Sequence, residues 1–177
     1  SATYIDDMRE PEGLVHVYPG YAKDGAHGKI TTCDLSAVAA APGVIHVLTA
    51  KDVPGLNDCA PVFGGDPILA NGRIMFHGQV VFAVVAETRE DARRAARLAR
   101  IEVAAEKPAV TVEDALATRT KDVGEPYQFV RRDAAKALAA ARHSIAESFR
   151  IGGQEHFYLE GQVSLAVPEE HGAVSVQ

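Results

Sequence analysis

The stretch from Gln79 to Ala105, QVVFAVVAETREDARRAARLARIEVAA, decides the fold. It opens with an almost continuous apolar run, Gln79 to Ala86, which predicts a buried central strand. Thr88, with Asp91 three residues later, resembles a capping box and predicts the start of a helix. We expect this helix to run to about Arg100. The stretch therefore indicates a sheet covered by a helix.

The helix should present two different faces. Its small face follows the i, i+3, i+4, i+7 spacing that suits close packing on a sheet, and it consists of Ala92, Ala95, Ala96 and Ala99. A second face carries Arg89, Arg93, Arg97 and Arg100, which we interpret as solvated and supported by a Glu90 to Arg94 pair. After the helix, Ile101 to Ala105 predicts a returning strand.

Upstream of this stretch, the pattern predicts more strands and one helix. The expected elements are a strand over Leu14–Tyr18 broken by Pro19-Gly20, a strand over His27–Thr32, a helix over Leu35–Ala41 capped by Asp34 or Ser36, and a strand over Val44–Thr49. Residues 50–72 are dense in Pro, Gly, Asn and Asp and predict a long irregular loop, of the kind that is often functional. Together these elements indicate an α+β domain.

Downstream, short helices give way to strands. Thr111 should cap a helix through Ala117, residues 118–131 should form an irregular connection, and Asp133 should cap a helix through about Arg142. Strands are expected over Ile145–Ile151, Gly161–Val167 and Ala173–Gln177. We expect the last strand to belong to a larger sheet that continues past this region.

The composition of the chain argues against several classes of partner and cofactor. The chain has 177 residues and a formal net charge of −6, which argues against nucleic acid as a partner. No apolar run approaches the roughly 20 residues that span a bilayer, so we expect no membrane partner and a cytoplasmic location. Cys33 and Cys59 form no Cys-x-x-Cys pair, so neither a disulfide framework nor an iron–sulfur cluster held by this chain alone is expected.

The most unusual segment is Gly152-Gly153-Gln154-Glu155-His156-Phe157-Tyr158-Leu159-Glu160. Two glycines after a predicted strand suggest a turn or a close approach to a ligand, and Gln154 follows them directly. Glu155 and His156 lack the spacing of a zinc motif, and the other histidines are interpreted as surface or half-buried residues. Gln154 offers a neutral amide that suits a bound oxo or hydroxyl group; a buried glutamine at a strand end remains the alternative.

The same segment resembles a signature of the molybdenum-binding large subunit of xanthine dehydrogenases. Further likenesses follow in family order: Tyr4-Ile5-Asp6-Asp7, Ala26-His27-Gly28-Lys29-Ile30, Pro42-Gly43-Val44, Asp52-Val53-Pro54-Gly55-Leu56-Asn57, and Gly78-Gln79 with Val84-Val85-Ala86 and Ala95-Ala96. The resemblance implies an α/β-hammerhead domain over residues 1–107, a linker over 108–132, and the incomplete start of a molybdopterin-binding domain over 133–177.

The resemblance also implies a reaction. Such enzymes oxidise hypoxanthine and xanthine to urate with water as the oxygen source, and pass electrons through 2Fe-2S clusters and FAD to NAD. Gln154, beside Gly153, would bind the cofactor by holding the oxo group of molybdenum. The clusters and FAD would lie on a small partner subunit or in a missing region. The remainder of the large subunit would be the other partner, and the purine its substrate.

The base glutamate, the substrate-binding residues and most pterin contacts of the family have no counterpart in these 177 residues. We therefore expect the isolated chain to be inactive and to bind no molybdenum cofactor. Two alternatives stay open. One is an aldehyde or other N-heterocycle oxidoreductase of the same family. The other is a non-catalytic protein-interaction module with a hammerhead-like fold.

Overall fold

The computed structural model describes residues 3–25, 27–119, 124, 126–159 and 161–177. The chain divides into two compact units. The larger unit is Glu10–Thr120, and the smaller unit combines Ser1–Arg9 with Lys121–Gln177. No helix in the described ranges is long and apolar enough to cross a membrane.

The described residues of the larger unit form two antiparallel sheets, three α-helices and a short 3-10 helix, Ala50–Asp52. Its elements are β1 (His16–Tyr21), β2 (Gly28–Asp34), α1 (Ser36–Ala39), β3 (Val44–Thr49), β4 (Arg73–Ile74), β5 (Val80–Ala86), α2 (Arg89–Ala96), β6 (Arg100–Ala105) and α3 (Val112–Thr118). One sheet has the strand order β1-β5-β3 and the other β4-β2-β6. The apolar run that was predicted as a central strand is β5, which lies between two antiparallel neighbours.

The core forms where α2 packs on β1 and β5. The predicted alanine face is confirmed, because Ala92 and Ala95 are only 0% and 1% exposed. Phe82 and Val84 of β5 are fully buried beneath this face. Small side chains bring the helix close to the sheet, so the strand's larger side chains fill the space between them.

Three helices were predicted with wrong boundaries. The helix predicted to run from the Asp133 cap to about Arg142 ends at Ala139, where the Ala141 N–H donates to the Leu138 carbonyl at 3.2 Å and closes a tighter turn. Helix α2 ends at Ala96 rather than near Arg100, because Leu98 N–H donates to the Ala95 carbonyl at 2.9 Å and closes a tighter turn. Arg100 instead begins β6, where it pairs with β2. Helix α1 is shorter than expected and its N-cap is Leu35; the Asp34 carboxylate accepts the Ser36 N–H at 3.0 Å from outside the helix.

The predicted break at Pro19-Gly20 is also wrong, because β1 continues through both residues to Tyr21. Strand β1 lies at the edge of its sheet, where a proline without an N–H is tolerated. Gly20 is buried and lies opposite Phe82 on β5. The glycine therefore serves side-chain packing rather than a turn.

The smaller unit has little regular structure among its described residues. It contains α4 (Ala134–Ala139), capped by Asp133 as predicted, and a hairpin of β7 (Ala166–Pro168) and β8 (Val174–Val176). The strand predicted over Ile145–Ile151 is wrong, and the one over Gly161–Val167 forms only at its end. Ile145 and Ile151 are 92% and 89% exposed, since no neighbouring strand in the described part of this unit pairs with them.

Candidate functional site

The segment that carries Gln154 is irregular and exposed. The turn predicted at Gly152-Gly153 does not form, because neither residue lies in a turn or has a positive φ. A Cβ atom at either glycine would meet no atom within 4 Å, so no contact closes the backbone there. Gln154 is exposed next to them, and its alternative as a buried strand-end glutamine is wrong.

The backbone conformation changes three residues after Gln154, at Phe157. This residue has a φ of 53°, in the left-handed region that bulky residues rarely adopt. Its N–H donates to Oε1 of Glu155 at 3.3 Å, and this hydrogen bond stabilises the left-handed conformation. A left-handed non-glycine residue costs of the order of 1–3 kcal/mol. No sequence motif predicted this conformation of Phe157. Its physical signal is the Glu155 carboxylate, which lies two residues before the N–H that it accepts.

Glu155 and Gln154 therefore have different surroundings. The Glu155 carboxylate is engaged by the backbone of Phe157, whereas the Gln154 amide faces open space. A neutral amide donates two N–H groups without adding charge, which fits an oxo ligand of a metal group. Gly153 has no side chain to obstruct such a ligand. The contact of Gln154 and Gly153 with the oxygen of a molybdenum group stays a prediction.

No group of three or more His, Cys, Asp or Glu side chains is arranged to hold a metal in the described ranges. Both cysteines are free thiols. The histidines are exposed or half-buried as predicted: His16 and His27 are half-buried, and His46, His77, His143, His156 and His171 are exposed.

The arginines of α2 do not converge on an anion site. Arg93 Nε and Arg94 Nε donate to the two oxygens of Glu90 at 2.8 and 2.6 Å. Hydrogen bonds from Arg93 and then Arg94 lower the pKa of Glu90 to about 2. Arg100 lies on β6 and pairs with Glu102. The solvated face that the sequence predicted is confirmed for Arg89 and Arg97, which are exposed, whereas Arg93 is half-buried. Arg93 and Arg94 form an ion-pair cluster with Glu90, so the predicted Glu90–Arg94 pair is confirmed.

The long loop over residues 50–72 is held at two points. Asn57 forms a strand-like pair with Leu69, donating from Nδ2 to its carbonyl at 2.7 Å and accepting its N–H at 3.0 Å. The Asp58 carboxylate accepts the N–H groups of Ala60, Gly65 and Asp66. Hydrogen bonds from Gly65 and then Ala60 lower the pKa of Asp58. The loop is ordered by its own polar groups and presents no catalytic cluster.

A second polar cluster joins the strand ends at one end of the β4-β2-β6 sheet. Arg73 on β4 forms a two-pronged ion pair with Glu106, and its Nη2 lies 3.3 Å from His27 Nε2. His27 Nδ1 lies 3.2 Å from the Met75 carbonyl. The His27 of the sequence motif therefore joins three strand ends, and we assign it a structural role.

Comparison with known proteins matches both parts of the chain. A family model described as aldehyde oxidase and xanthine dehydrogenase, a/b hammerhead domain, matches residues 1–107. A model described as molybdopterin cofactor-binding domain matches residues 117–177, the region that contains Gln154.

Individual proteins that are similar to this chain come from the same family. The chain is 35% identical over 99% of its length to xanthine dehydrogenase of Dictyostelium discoideum, and it spans 13% of that protein. It is 35% identical over 95% of its length to xanthine dehydrogenase/oxidase of Rattus norvegicus, and spans 12% of it. Aldehyde oxidoreductase from Desulfovibrio gigas superimposes with a TM-score of 0.79 at 25% identity, over 94% of this chain and 20% of that one.

Proposed function

Because the chain belongs to the aldehyde oxidase and xanthine dehydrogenase family, we propose that it is part of a molybdenum hydroxylase that oxidises hypoxanthine and xanthine to urate. Water is the oxygen source in this proposal. The observation that carries it is the alignment along 99% of the chain with a xanthine dehydrogenase, including the Gln154 segment. The chain spans only 13% of that relative, so the activity is proposed for the whole protein.

In this proposal Gln154 positions the cofactor. The molybdenum–pterin group supplies the redox chemistry when it is bound. The exposed Gln154 amide donates a hydrogen bond to its oxo group, and Gly153 leaves room for the approach. The hydrogen bond from the Phe157 N–H to Glu155 lies on the far side of Gln154. Neutrality matters here, because a carboxylate at position 154 would repel the oxygen that it must hold.

The remainder of the large subunit is the first proposed partner. Ile145, Phe149 and Ile151 hold three of the four odd-numbered positions between 145 and 151, with Glu147 at the fourth, and they are 92%, 86% and 89% exposed. Phe157 and Leu159 are 92% and 97% exposed. Apolar side chains at this spacing suit one face of a strand that is buried in a sheet. Electrons would leave through 2Fe-2S clusters and FAD, on a partner subunit or another region, to NAD.

A second candidate function is the oxidation of aldehydes or other N-heterocycles. The superposition on an aldehyde oxidoreductase with a TM-score of 0.79 favours it. Quinoline 2-oxidoreductase from Pseudomonas putida also matches, with a TM-score of 0.55 at 32% identity over 64% of this chain and 15% of that one. Substrate-selecting residues decide between these activities, so a comparison of substrates on the whole enzyme is required.

The test uses the whole protein that contains this chain, purified with its partner subunits. We expect faster turnover of xanthine and hypoxanthine than of benzaldehyde or quinoline. Gln154→Ala should lower xanthine turnover by roughly tenfold to a hundredfold, the range for groups that orient metal ligands. Gln162→Ala replaces another exposed glutamine of the same unit and should leave turnover unchanged. Faster turnover of benzaldehyde than of xanthine would support the second candidate function. Full activity of the Gln154→Ala variant would show that Gln154 does not position the cofactor.

A further inference from the structure

A cavity of about 450 Å³ lies away from Gln154, within the larger unit. It is enclosed by the end of β1, the loop before β5 and the C-terminal end of α2. Small residues form part of its wall: Gly20, Ala22, Gly78 and Ala96. The remaining lining is polar or aromatic and consists of Tyr18, Pro19, Tyr21, Lys23, His77 and Arg97.

The charge of this cavity is opposite to that of the chain. Lys23 and Arg97 contribute two cations, and His77 contributes an imidazole. Among the described residues, none of the lining side chains is a carboxylate, although the chain carries a net charge of −6. Cationic and phenolic donors around a cavity select a carboxylate or a similar anion.

Lys23 is held in place before any ligand arrives. Its Nζ donates to the Arg97 carbonyl at 3.0 Å, across 74 residues of sequence. An ammonium has three N–H groups, so two remain for a ligand. An ordered donor loses less conformational entropy on binding than a mobile one. This contact places the Lys23 ammonium beside the Arg97 backbone, and both residues line the cavity.

Two phenols add neutral donors. Tyr21 is 40% exposed and Tyr18 is half-buried, and both residues line the cavity. Burial, and then the neighbouring Tyr18, raise the pKa of Tyr21. Tyr21 therefore remains protonated at neutral pH and can donate its O–H. Their rings also offer flat apolar surface next to the charged groups.

We propose that this cavity binds an acidic side chain of a protein segment that carries an aromatic or aliphatic residue next to that acid. Charge complementarity selects the acid, and the tyrosine rings accept the apolar neighbour. A protein segment suits the site better than a free anion because exposed apolar side chains precede the cavity residues along the chain: Val15, just before β1, is 43% exposed and Val17, on β1, is 59% exposed. Pro19 has no N–H, so side-chain contacts rather than strand addition carry the recognition.

The test is an NMR titration of the ¹⁵N-labelled 177-residue chain with the peptide acetyl-Glu-Phe-Glu-amide. We expect shifts of the amide signals of Tyr21, Ala22 and Gly78, and weaker shifts as salt is added. Arg97→Gln should weaken binding by roughly fivefold, the upper range for an exposed ion pair. Lys23 keeps its backbone partner in this variant, so the fold should be retained, which an unchanged spectrum would verify.

Lys29→Gln is the matched control. It removes the same charge from an exposed position on β2 that does not line the cavity, and it should leave the affinity unchanged. The proposal would be overturned if acetyl-Gln-Phe-Gln-amide bound equally well, if Arg97→Gln and Lys29→Gln had equal effects, or if shifts appeared elsewhere. Benzoate binding as tightly as the acidic peptide would identify a small-molecule site and would contradict the protein-segment assignment.

Discussion

Gly20 and Phe82 face each other across strands β1 and β5, and the phenylalanine ring fills the space that a side chain at position 20 would need. An added Cβ would lie 2.1 Å from Phe82 Cζ. Phe82 is fully buried at the centre of the core, so its ring has no free space to enter. The glycine at position 20 therefore allows the edge strand β1 to pair with β5 over the Phe82 ring.

Gly20→Ala should destabilise the chain. The new methyl group would force Phe82 out of its position, and overpacking of this kind costs about 1–3 kcal/mol. The free energy of unfolding, measured by urea denaturation, checks this. Gly55→Ala is the control, because a Cβ there would meet no atom within 4 Å. Equal stability of the two variants would show that the core accommodates the methyl group.

The Glu90 ion pairs should make stability depend on pH in the acid range. The pKa of Glu90 is lowered to about 2 from 4.5, so its pairs stabilise the fold fully above pH 4.5. This contribution is lost as the pH falls towards 2 and the carboxylate is protonated. The difference in Tm between the unaltered chain and Glu90→Gln should be largest near neutral pH and shrink below pH 4.5.

A variant lacking both arginine partners, Arg93→Gln with Arg94→Gln, provides the reference for this prediction. In that background Glu90→Gln should change the Tm by a similar amount at neutral and acid pH. A pH-dependent difference that persists without the arginines would assign the effect to another interaction of Glu90.

Asp58 should be required for order in the long loop. Its carboxylate accepts three backbone N–H groups, from Ala60 at 2.9 Å, Gly65 at 2.5 Å and Asp66 at 3.2 Å. Asp58→Ala should therefore speed hydrogen exchange at those three amides while β5 stays protected. Asp66→Ala is the comparison, because the contacts of Asp66 in this loop use its backbone. Equal protection of the three amides in the Asp58 variant would contradict this role.

The two units should also differ in hydrogen exchange. Amides of β5 and α2 lie in the buried core and should exchange slowly. Amides over residues 143–159 are in exposed, irregular backbone and should exchange within the first time points. Strong protection of the 143–159 segment in the isolated chain would indicate a unit that folds by itself, and it would favour the protein-interaction module.

Local signals predicted most elements of the larger unit and one helix start of the smaller unit. Thr88, Thr111 and Asp133 each accept a backbone N–H three residues later, as their positions at helix starts predict. The apolar run at Val80–Ala86 identified the central strand. The errors lie where tertiary contacts decide: Gly20 packs against Phe82, and Arg100 joins β2 instead of extending α2.

The candidate site was less predictable from the sequence. Gln154 was selected by its position after two glycines and its neutral amide, and the family resemblance gave it a cofactor role. The conformation of Phe157, in contrast, is accompanied by one side-chain hydrogen bond from its N–H to Glu155 that no motif describes. The strand expected at Ile145–Ile151 needs a neighbouring strand, and its periodicity alone cannot supply one. Lys23 and Arg97 are 74 residues apart, so only the packing of α2 on β1 brings them together.

The most direct test of the central claim is isotope labelling of the product. The whole protein that contains this chain, assembled with its partners, should be incubated with xanthine and NAD in ¹⁸O-labelled water. The account predicts urate that carries ¹⁸O from the water and stoichiometric molybdenum in the purified protein. Urate whose new oxygen comes from O₂, or a molybdenum-loaded protein that forms no urate, would contradict it.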